Sequence, residues 1–419
     1  MEMVIFLLLF VAVVLGFAVG VWRERNKYIG VNSKHPADQV WNRKHYLQGL
    51  NYLLDNKTDD AIDAFISAME VNAETLETHL ALGKVLRRRG ELAGAVKIHE
   101  NLLEKARLSR PEQHIVKLEL AKDYLHSGLL DRAEILLKEL IDVNLMDLRQ
   151  RHEALERLLE VYRDMHEWVQ AIDIADRLTE AKFAPNPDRW RVMQAQFCCE
   201  LAEHHHQDPM ARLKWIRNAL RYDPNCVRAS FMQADMEMQE GNITAAIASV
   251  KCVVQQNPHF IDEVLVPLQR FYSSTDISTD SNVQNSADDS SSASLRADLE
   301  LLFAAHPSFF TLSALFTLIE HKEGVKPALL QLQHALPLVE SFYQNQGIVA
   351  NQAVRKCCTT QQLVKALLTK GNCDEDLLSV LQRLLEWPIE YKCRSCGFVG
   401  EQLHWLCPSC KHWATITRM

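Results

Sequence analysis

The sequence predicts a mainly α protein of three parts: an N-terminal transmembrane helix, a helical repeat array and a small cysteine-rich unit at the C-terminus. Three observations predict it. Twenty residues from Met3 to Trp22 carry no charge, small residues return at intervals of 34 through the middle, and four of the eleven cysteines crowd into the last 27 residues. Composition agrees. Gly and Pro number only 14 and 13 in 419 residues, which disfavours turn-dense all-β folds, and 47% apolar content suffices for a sizeable core without disulfides. The net charge of −8 and a pI near 6.1 deny the whole molecule the positive field of a general nucleic-acid binder, leaving only a local basic patch for such a role.

The run Met3–Trp22 is long enough, at about 1.5 Å per helical residue, to cross the roughly 30 Å hydrocarbon layer of a bilayer. A cleaved leader would begin with Lys or Arg and end in a small-residue site; here the leading charge is Glu2 and no such site follows. Basic residues come after the span, at Arg23, Arg25, Lys27 and Lys34, so the expected topology is single-pass with a periplasmic N-terminus and the body on the cytoplasmic side. The odd cysteine count fits a reducing compartment. Residues 1–22 are thus read as the anchor and 23–42 as a juxtamembrane linker.

Between 43 and 258 the chain repeats itself. Gly49, Tyr52, Ala61, Phe65 and Ala68 are followed by Leu82-Gly83, Gly90 and Ala95, with Gly49 to Gly83 and Ala61 to Ala95 both 34 residues. Ala121, Tyr124, Gly128 and Ala133 are followed by Tyr162 and Ala171 at a spacing of 38, and Pro224 to Pro258 returns to 34. This period, with a small residue where two helices cross, resembles the tetratricopeptide repeat, and six copies are traced. Each helix pair leaves an apolar face that only the next pair covers, so the resemblance implies a curved solenoid with a concave groove for a peptide or protein segment. By that analogy the first helix of each pair lines the groove, which makes Lys84, Arg87, Arg88, Lys122 and Arg163 the candidate partner-binding residues.

Residues 259–387 read as further helical repeats. Within them, 273–294 is a Ser/Asp-rich stretch too poor in large apolar side chains to offset chain entropy, and a disordered insert is expected there. Periodicity resumes at Leu295 and ends in the stripe Leu377, Leu378, Leu381, Leu384, Leu385 before Pro388.

Residues 388–419 hold Cys393, Cys396, Cys407 and Cys410 in a C-x2-C-x10-C-x2-C pattern. Two intervening residues let both sulfurs of one turn face one ion, and ten allow a hairpin to bring the second pair opposite, giving a tetrahedral four-thiolate site. So small a segment lacks a core of its own, whereas structural zinc supplies about 10–16 kcal/mol of apparent folding free energy. The CxxCG and CPxC turns resemble rubredoxin, so one metal ion is expected, with zinc favoured over iron because Lys411 stands where rubredoxins have Gly. His404 and His412 flank a shell already filled by four thiols. Trp405 and Trp413 are expected to cover the site or to pack on the Leu377–Leu385 helix, since only Ile389 and Glu390 separate Pro388 from Tyr391 and the unit cannot tumble freely. His204-His205-His206 reads as a polar segment ahead of a helix starting at Asp208-Pro209, because adjacent helical positions do not face one site. No nucleophile elbow, Walker loop or HExxH pattern is present, so no catalytic residue is assigned and the protein is read as a non-enzyme.

The anchor, the array and the ending Leu403-His404-Trp405-Leu406-Cys407-Pro408-Ser409-Cys410-Lys411-His412-Trp413 together resemble the lipopolysaccharide assembly protein B family of Gram-negative bacteria. That resemblance implies an inner-membrane adaptor limiting lipopolysaccharide synthesis, with a membrane-bound AAA protease and the lipid A pathway deacetylase as partners. It also implies contact with inner-membrane lipid and with other inner-membrane lipopolysaccharide regulators or assembly proteins, and no nucleic acid; homo-oligomer formation is left open. The family's four metal-binding cysteines fall on Cys393, Cys396, Cys407 and Cys410. The 273–294 stretch departs from the family pattern. Competing classes are a rubredoxin-like electron carrier, a membrane-tethered zinc ribbon that binds nucleic acid, and a metal hydrolase.

Overall fold

The computed structural model describes residues 76–418 except 106–107, 143–146, 181–186, 276–283, 345–349, 371–374 and 386–389, plus scattered positions between 48 and 64. The Met3–Trp22 segment, the linker and most of the first repeat lie outside the described residues. Among those described, no helix is long and apolar enough to cross a membrane.

The chain divides into two compact units at residues 165/166. In the first, α1 (Leu76–Arg89), α2 (Leu92–Lys105), α3 (Arg110–His126), α4 (Leu130–Asp142) and α5 (Leu148–Asp164) each pack on the next, and α1, α3 and α5 also touch in succession. This n, n+2 contact is what stacked helix pairs require to bury their open faces. In the second unit the same scheme continues through α6 (Trp168–Glu180), α7 (Pro187–His204), α8 (Pro209–Tyr222), α9 (Val227–Gln239) and α10 (Ile243–Gln256). A 3-10 turn (Pro258–Phe260) leads into α11 (Ile261–Thr275), α12 (Gln284–Ala305), α13 (Phe309–Glu323), α14 (Val325–Gln344), α15 (Ala350–Lys370) and α16 (Glu375–Leu385). Three short antiparallel strands follow, β1 (Tyr391–Cys393), β2 (Val399–Gly400) and β3 (Ile416–Arg418), in the order β2-β1-β3.

The sequence repeats have direct physical counterparts. Ala95, Ala121, Ala133, Ala171, Ala219 and Ala246 are all fully buried. A Cβ on Gly83 would lie 2.5 Å from the His99 ring, so the α1–α2 crossing admits no larger residue there. Gly90, Gly128 and Gly241 turn the chain with φ of 83°, 72° and 79°, each five residues before a buried alanine. His166 holds the same place before Ala171 with φ 60°, a left-handed conformation that costs a non-glycine residue about 1 kcal/mol. Helix starts also follow the sequence. Asp208 accepts from the Met210 and Ala211 amides at 3.1 Å with Pro209 in the first turn, as read from Asp208-Pro209.

Of the 273–294 stretch, expected to be a disordered insert, residues 276–283 lie outside the described residues. Residues 273–275 complete α11 and 284–294 belong to α12. The physical reason is propagation: Leu295, Leu299, Leu302 and Phe303 bury one side of α12, and once that part is fixed each added Ser, Ala or Asp residue continues the backbone ladder at small cost. The core runs through this region, from Phe260, Phe271 and Phe303 to Phe309, Phe316 and Leu385.

In the first unit the apolar core encloses a charge network. Arg87 on α1 donates to Glu119 and Asp123 on α3, both at 2.6 Å, Lys122 pairs with Glu119 at 2.9 Å, and the Nδ1 of buried His99 bonds Asp123. Burial would raise the Glu119 pKa, but Lys122 and Arg87 outweigh it and hold the carboxyl at about 2, against 4.5 when free. A folded pKa below the unfolded value favours the fold above pH 4.5, and that contribution is lost as pH falls towards 2. Hydrogen exchange over 76–126 in the full chain, corrected for intrinsic rates, should therefore lose protection across that acid window. In Glu119→Gln, protection at pH 7 should already be reduced and the acid-dependent loss smaller; an unchanged acid response would contradict the assignment.

Candidate metal centre

Each pair of cysteines sits on a tight backbone turn, and the two turns are built alike. In the first, the Gly397 amide donates to the Cys393 carbonyl at 2.9 Å and the Cys393 amide to the Phe398 carbonyl at 2.7 Å. In the second, Lys411 donates to Cys407 at 2.9 Å and Cys407 to His412 at 3.0 Å. Strand β1 carries Cys393 opposite Ile416 of β3, and a Leu406–Trp413 bridge closes the second turn. The four Sγ atoms come within 4.8 Å of one another. Cys393–Cys410 and Cys396–Cys407 are each 3.7 Å apart, close to the edge of about 3.8 Å that a tetrahedron with 2.3 Å metal–sulfur bonds requires. The residues therefore fit a four-thiolate metal ion. Among the described residues this is also the one group of three or more potential ligands; His204, His205 and His206 are exposed and converge on nothing, and His404 and His412 point to solvent.

Local electrostatics differ from thiol to thiol. Burial raises the Cys393 group, but the Thr415 hydroxyl at 3.3 Å and the backbone amides of Cys396 and Ser395 outweigh it and hold the thiol at about 6. Burial leads in pushing Cys410 up to about 12. Cys393 and Cys407 are buried, Cys410 is half-buried and Cys396 is exposed. Lys392, Arg394 and Lys411 lie exposed on the same unit, placed to offset the charge of a metal-bound thiolate cluster.

The cysteine unit has a core of only Tyr391, Cys393, Cys407 and Ile416, and it completes itself against the helices. Trp413 meets Trp168 of α6 at 6.4 Å and Phe197 of α7 at 6.0 Å, both edge-on. Trp405 stacks on Phe260 at 5.5 Å and 17°, with the Arg228 guanidinium of α9 on its ring at 5.9 Å. Arg418 pairs with Glu263 of α11 at 2.6 Å and lies 4.8 Å from the Phe310 ring. Docking was expected from the short connection; the ring partners of the two tryptophans lie on α6, α7 and the 3-10 turn, and Trp405 also packs against the core cluster that includes Leu381 and Leu385. Periodicity locates faces; it does not say which distant faces meet.

The five candidate groove cations arrive largely compensated. Arg87 and Lys122 belong to the network around Glu119, Lys122 also pairs with Glu153 at 2.5 Å, and Lys84 reaches Glu119 at 3.3 Å. Arg163 pairs with its neighbour Asp164 at 2.9 Å, while Arg88 is exposed. The acids that bind them, Glu119 and Asp123, were the residues sequence reasoning missed. Their signal was a four-residue spacing of carboxylates on the otherwise apolar face of α3.

With both parts described, comparison with known proteins is direct. The family described as "Rubredoxin metal binding domain" matches residues 391–418, and the tetratricopeptide repeat family matches 46–107 and 211–259. Over nearly its whole length the chain is similar to lipopolysaccharide assembly protein B. The protein of that name from Escherichia coli K12 is 29% identical over 423 residues, covering 98% of this chain and 97% of its own. Its Haemophilus influenzae counterpart is 28% identical over 415 residues, with 93% of each chain covered. Among solved structures, a tetratricopeptide repeat protein from Parabacteroides merdae aligns with 68% of this chain and 98% of its own, at 15% identity and a TM-score of 0.34. The architecture is thus mainly helical tetratricopeptide repeats with a small C-terminal rubredoxin-like zinc ribbon.

One strained position in the ribbon gives a test. Gly397 and Lys411 occupy equivalent turn sites with φ of 80° and 57°, and only the first is glycine. Lys411→Gly removes a left-handed side chain worth about 1 kcal/mol, so transfer of zinc from the loaded full chain to a chromophoric chelator should slow about fivefold. Gly397→Ala should speed it. Equal rates in all three proteins would show that the turns carry no strain.

Proposed function

We propose that this protein is a non-enzymatic inner-membrane adaptor that regulates lipopolysaccharide biosynthesis by presenting the lipid A pathway deacetylase to a membrane-bound AAA protease. The observation that carries this reading is the similarity to lipopolysaccharide assembly protein B along 98% of the chain, in a protein that joins tetratricopeptide repeats to a cysteine ribbon. Proteins built from such arrays bind other proteins with the faces their helices expose. Residues 1–22 would hold the body at the cytoplasmic face of the inner membrane, and the basic flank Arg23, Arg25, Lys27 and Lys34 supports that orientation. Lys84 and Arg88, the more exposed of the five groove cations, would meet an acidic segment of the client. Arg87, Lys122 and Arg163 would position them through the carboxylates they already bind.

Cys393, Cys396, Cys407 and Cys410 would hold one metal ion, zinc in preference to iron. When bound, it supplies cross-linking of the two turns, with all four positions filled by protein sulfur and none left for a water. A rubredoxin-like electron carrier is the second reading, since the 3.7 Å sulfur pairs suit iron equally well. A coloured, redox-active preparation would favour it.

The deciding experiment follows deacetylase decay after synthesis is blocked, in a strain whose only copy carries Cys393→Ser and Cys407→Ser. The variant is expected to reach the membrane while the deacetylase persists several-fold longer than with the wild-type chain. Normal decay in a strain whose copy ends at Trp387 would refute the role assigned to the ribbon, and decay unaffected by complete deletion would refute the adaptor reading.

A further inference from the structure

A second group of cysteines lies away from the ribbon. Cys198 and Cys199 on α7 are fully buried, and Cys226, at the residue that opens α9, is 2% exposed. The sulfurs of Cys199 and Cys226 are 3.8 Å apart, and the Gln196 side-chain amide donates to the Cys226 sulfur at 3.5 Å. Arg228, itself buried, lies two residues along the chain from Cys226, paired with Glu200 at 2.8 Å and Glu203 at 2.7 Å and resting on the Trp405 ring. A cysteine that merely fills space does not need an amide aimed at its sulfur.

The two thiols are unlike. The sulfur–sulfur hydrogen bond lowers the Cys226 pKa; burial opposes this, and the Ala229 amide in the first turn of α9 helps without forming a full cap bond. Cys199 is raised, first by that same bond and then by burial. Cys198 is pushed up by burial to about 12 and is inert beside them. Of the two, Cys226 is the more acidic thiol.

We propose that Cys199 and Cys226 form a thiol–disulfide modification site that reacts with small hydroperoxides and, when oxidised, fastens α7 to the start of α9 next to the Arg228–Trp405 contact. In the first step the Cys226 thiolate attacks one oxygen of the hydroperoxide. A sulfur–oxygen bond forms, the oxygen–oxygen bond breaks, and the leaving oxygen takes a proton and departs as water or an alcohol. In the second step the Cys199 sulfur attacks the resulting sulfenic acid at Cys226. The sulfur–sulfur bond forms, the sulfur–oxygen bond breaks, and hydroxide leaves with the Cys199 proton as water. Two thiols give up two electrons and the hydroperoxide accepts them. The sulfurs need to close from 3.8 Å to about 2 Å. Burial makes the site selective for oxidants about the size of water and closed to bulky disulfides.

The test uses the full-length chain in detergent, carrying Cys198→Ala so that neighbouring thiols are not confused. After treatment with hydrogen peroxide or with oxidised glutathione, free thiols are blocked with N-ethylmaleimide under denaturing conditions and the protein is digested with trypsin without reductant. The expected result is a peptide pair joined through Cys199 and Cys226 after peroxide, absent after oxidised glutathione and lost on reduction. Recovery of both residues as maleimide adducts after a peroxide exposure that oxidises the exposed Cys252 would overturn the proposal. So would linkage of either residue to a different cysteine, or equal oxidation by glutathione disulfide.

Discussion

The seating of the cysteine unit on the second helical unit is the contact on which the rest of this structure turns. A segment of 28 residues with four buried core side chains cannot stand alone, and two tryptophans and an arginine connect it to helices far apart in sequence. Trp413 reaches α6 and α7, Trp405 reaches the turn after α10, and Arg418 reaches α11. Each anchor also gains something from its seat. Trp413 becomes 9% exposed, and the Arg418 guanidinium is 10% exposed with Glu263 and Tyr391 as partners. Helices 90 residues apart in sequence are therefore held by one small clasp whose own shape depends on four sulfurs.

Inside the first unit the organising force is of a different kind. Arg87, Glu119, Asp123, Lys122 and His99 form a buried polar cluster, and buried ion pairs contribute little net stability once desolvation is counted. Removing one member leaves its buried neighbours short of a partner, so the cluster fixes which faces of α1, α2 and α3 meet more than it strengthens the meeting. The same residues account for much of the basic strip in the sequence. A line of cations that looks available for an acidic client is, at Arg87 and Lys122, already neutralised from the neighbouring helix.

What the sequence revealed and what it hid separate along physical lines. Alanines at helix crossings, glycines in left-handed turns and paired cysteines impose local requirements, and local requirements leave local signatures. Ala95, Gly128 and Cys393 were legible for that reason. His166 shows the limit, since it fills a glycine's conformation while breaking the pattern. Glu119 and Asp123 were not legible as partners of Arg87 because pairing across helices depends on how faces meet. The seats of Trp405 and Trp413 were hidden for the same reason, since they lie more than 100 residues upstream.

Through Trp405, Trp413 and Arg418 the four-cysteine unit and the helices beneath it form one coupled body. The most direct test of that coupling is hydrogen exchange across the full chain before and after chelation of the metal held by the knuckles. Protection should fall together in residues 391–418, in α6 and α7 around Trp168 and Phe197, and in 258–275 around Phe260 and Glu263. Loss of protection confined to 391–418, with those helices unchanged, would contradict it.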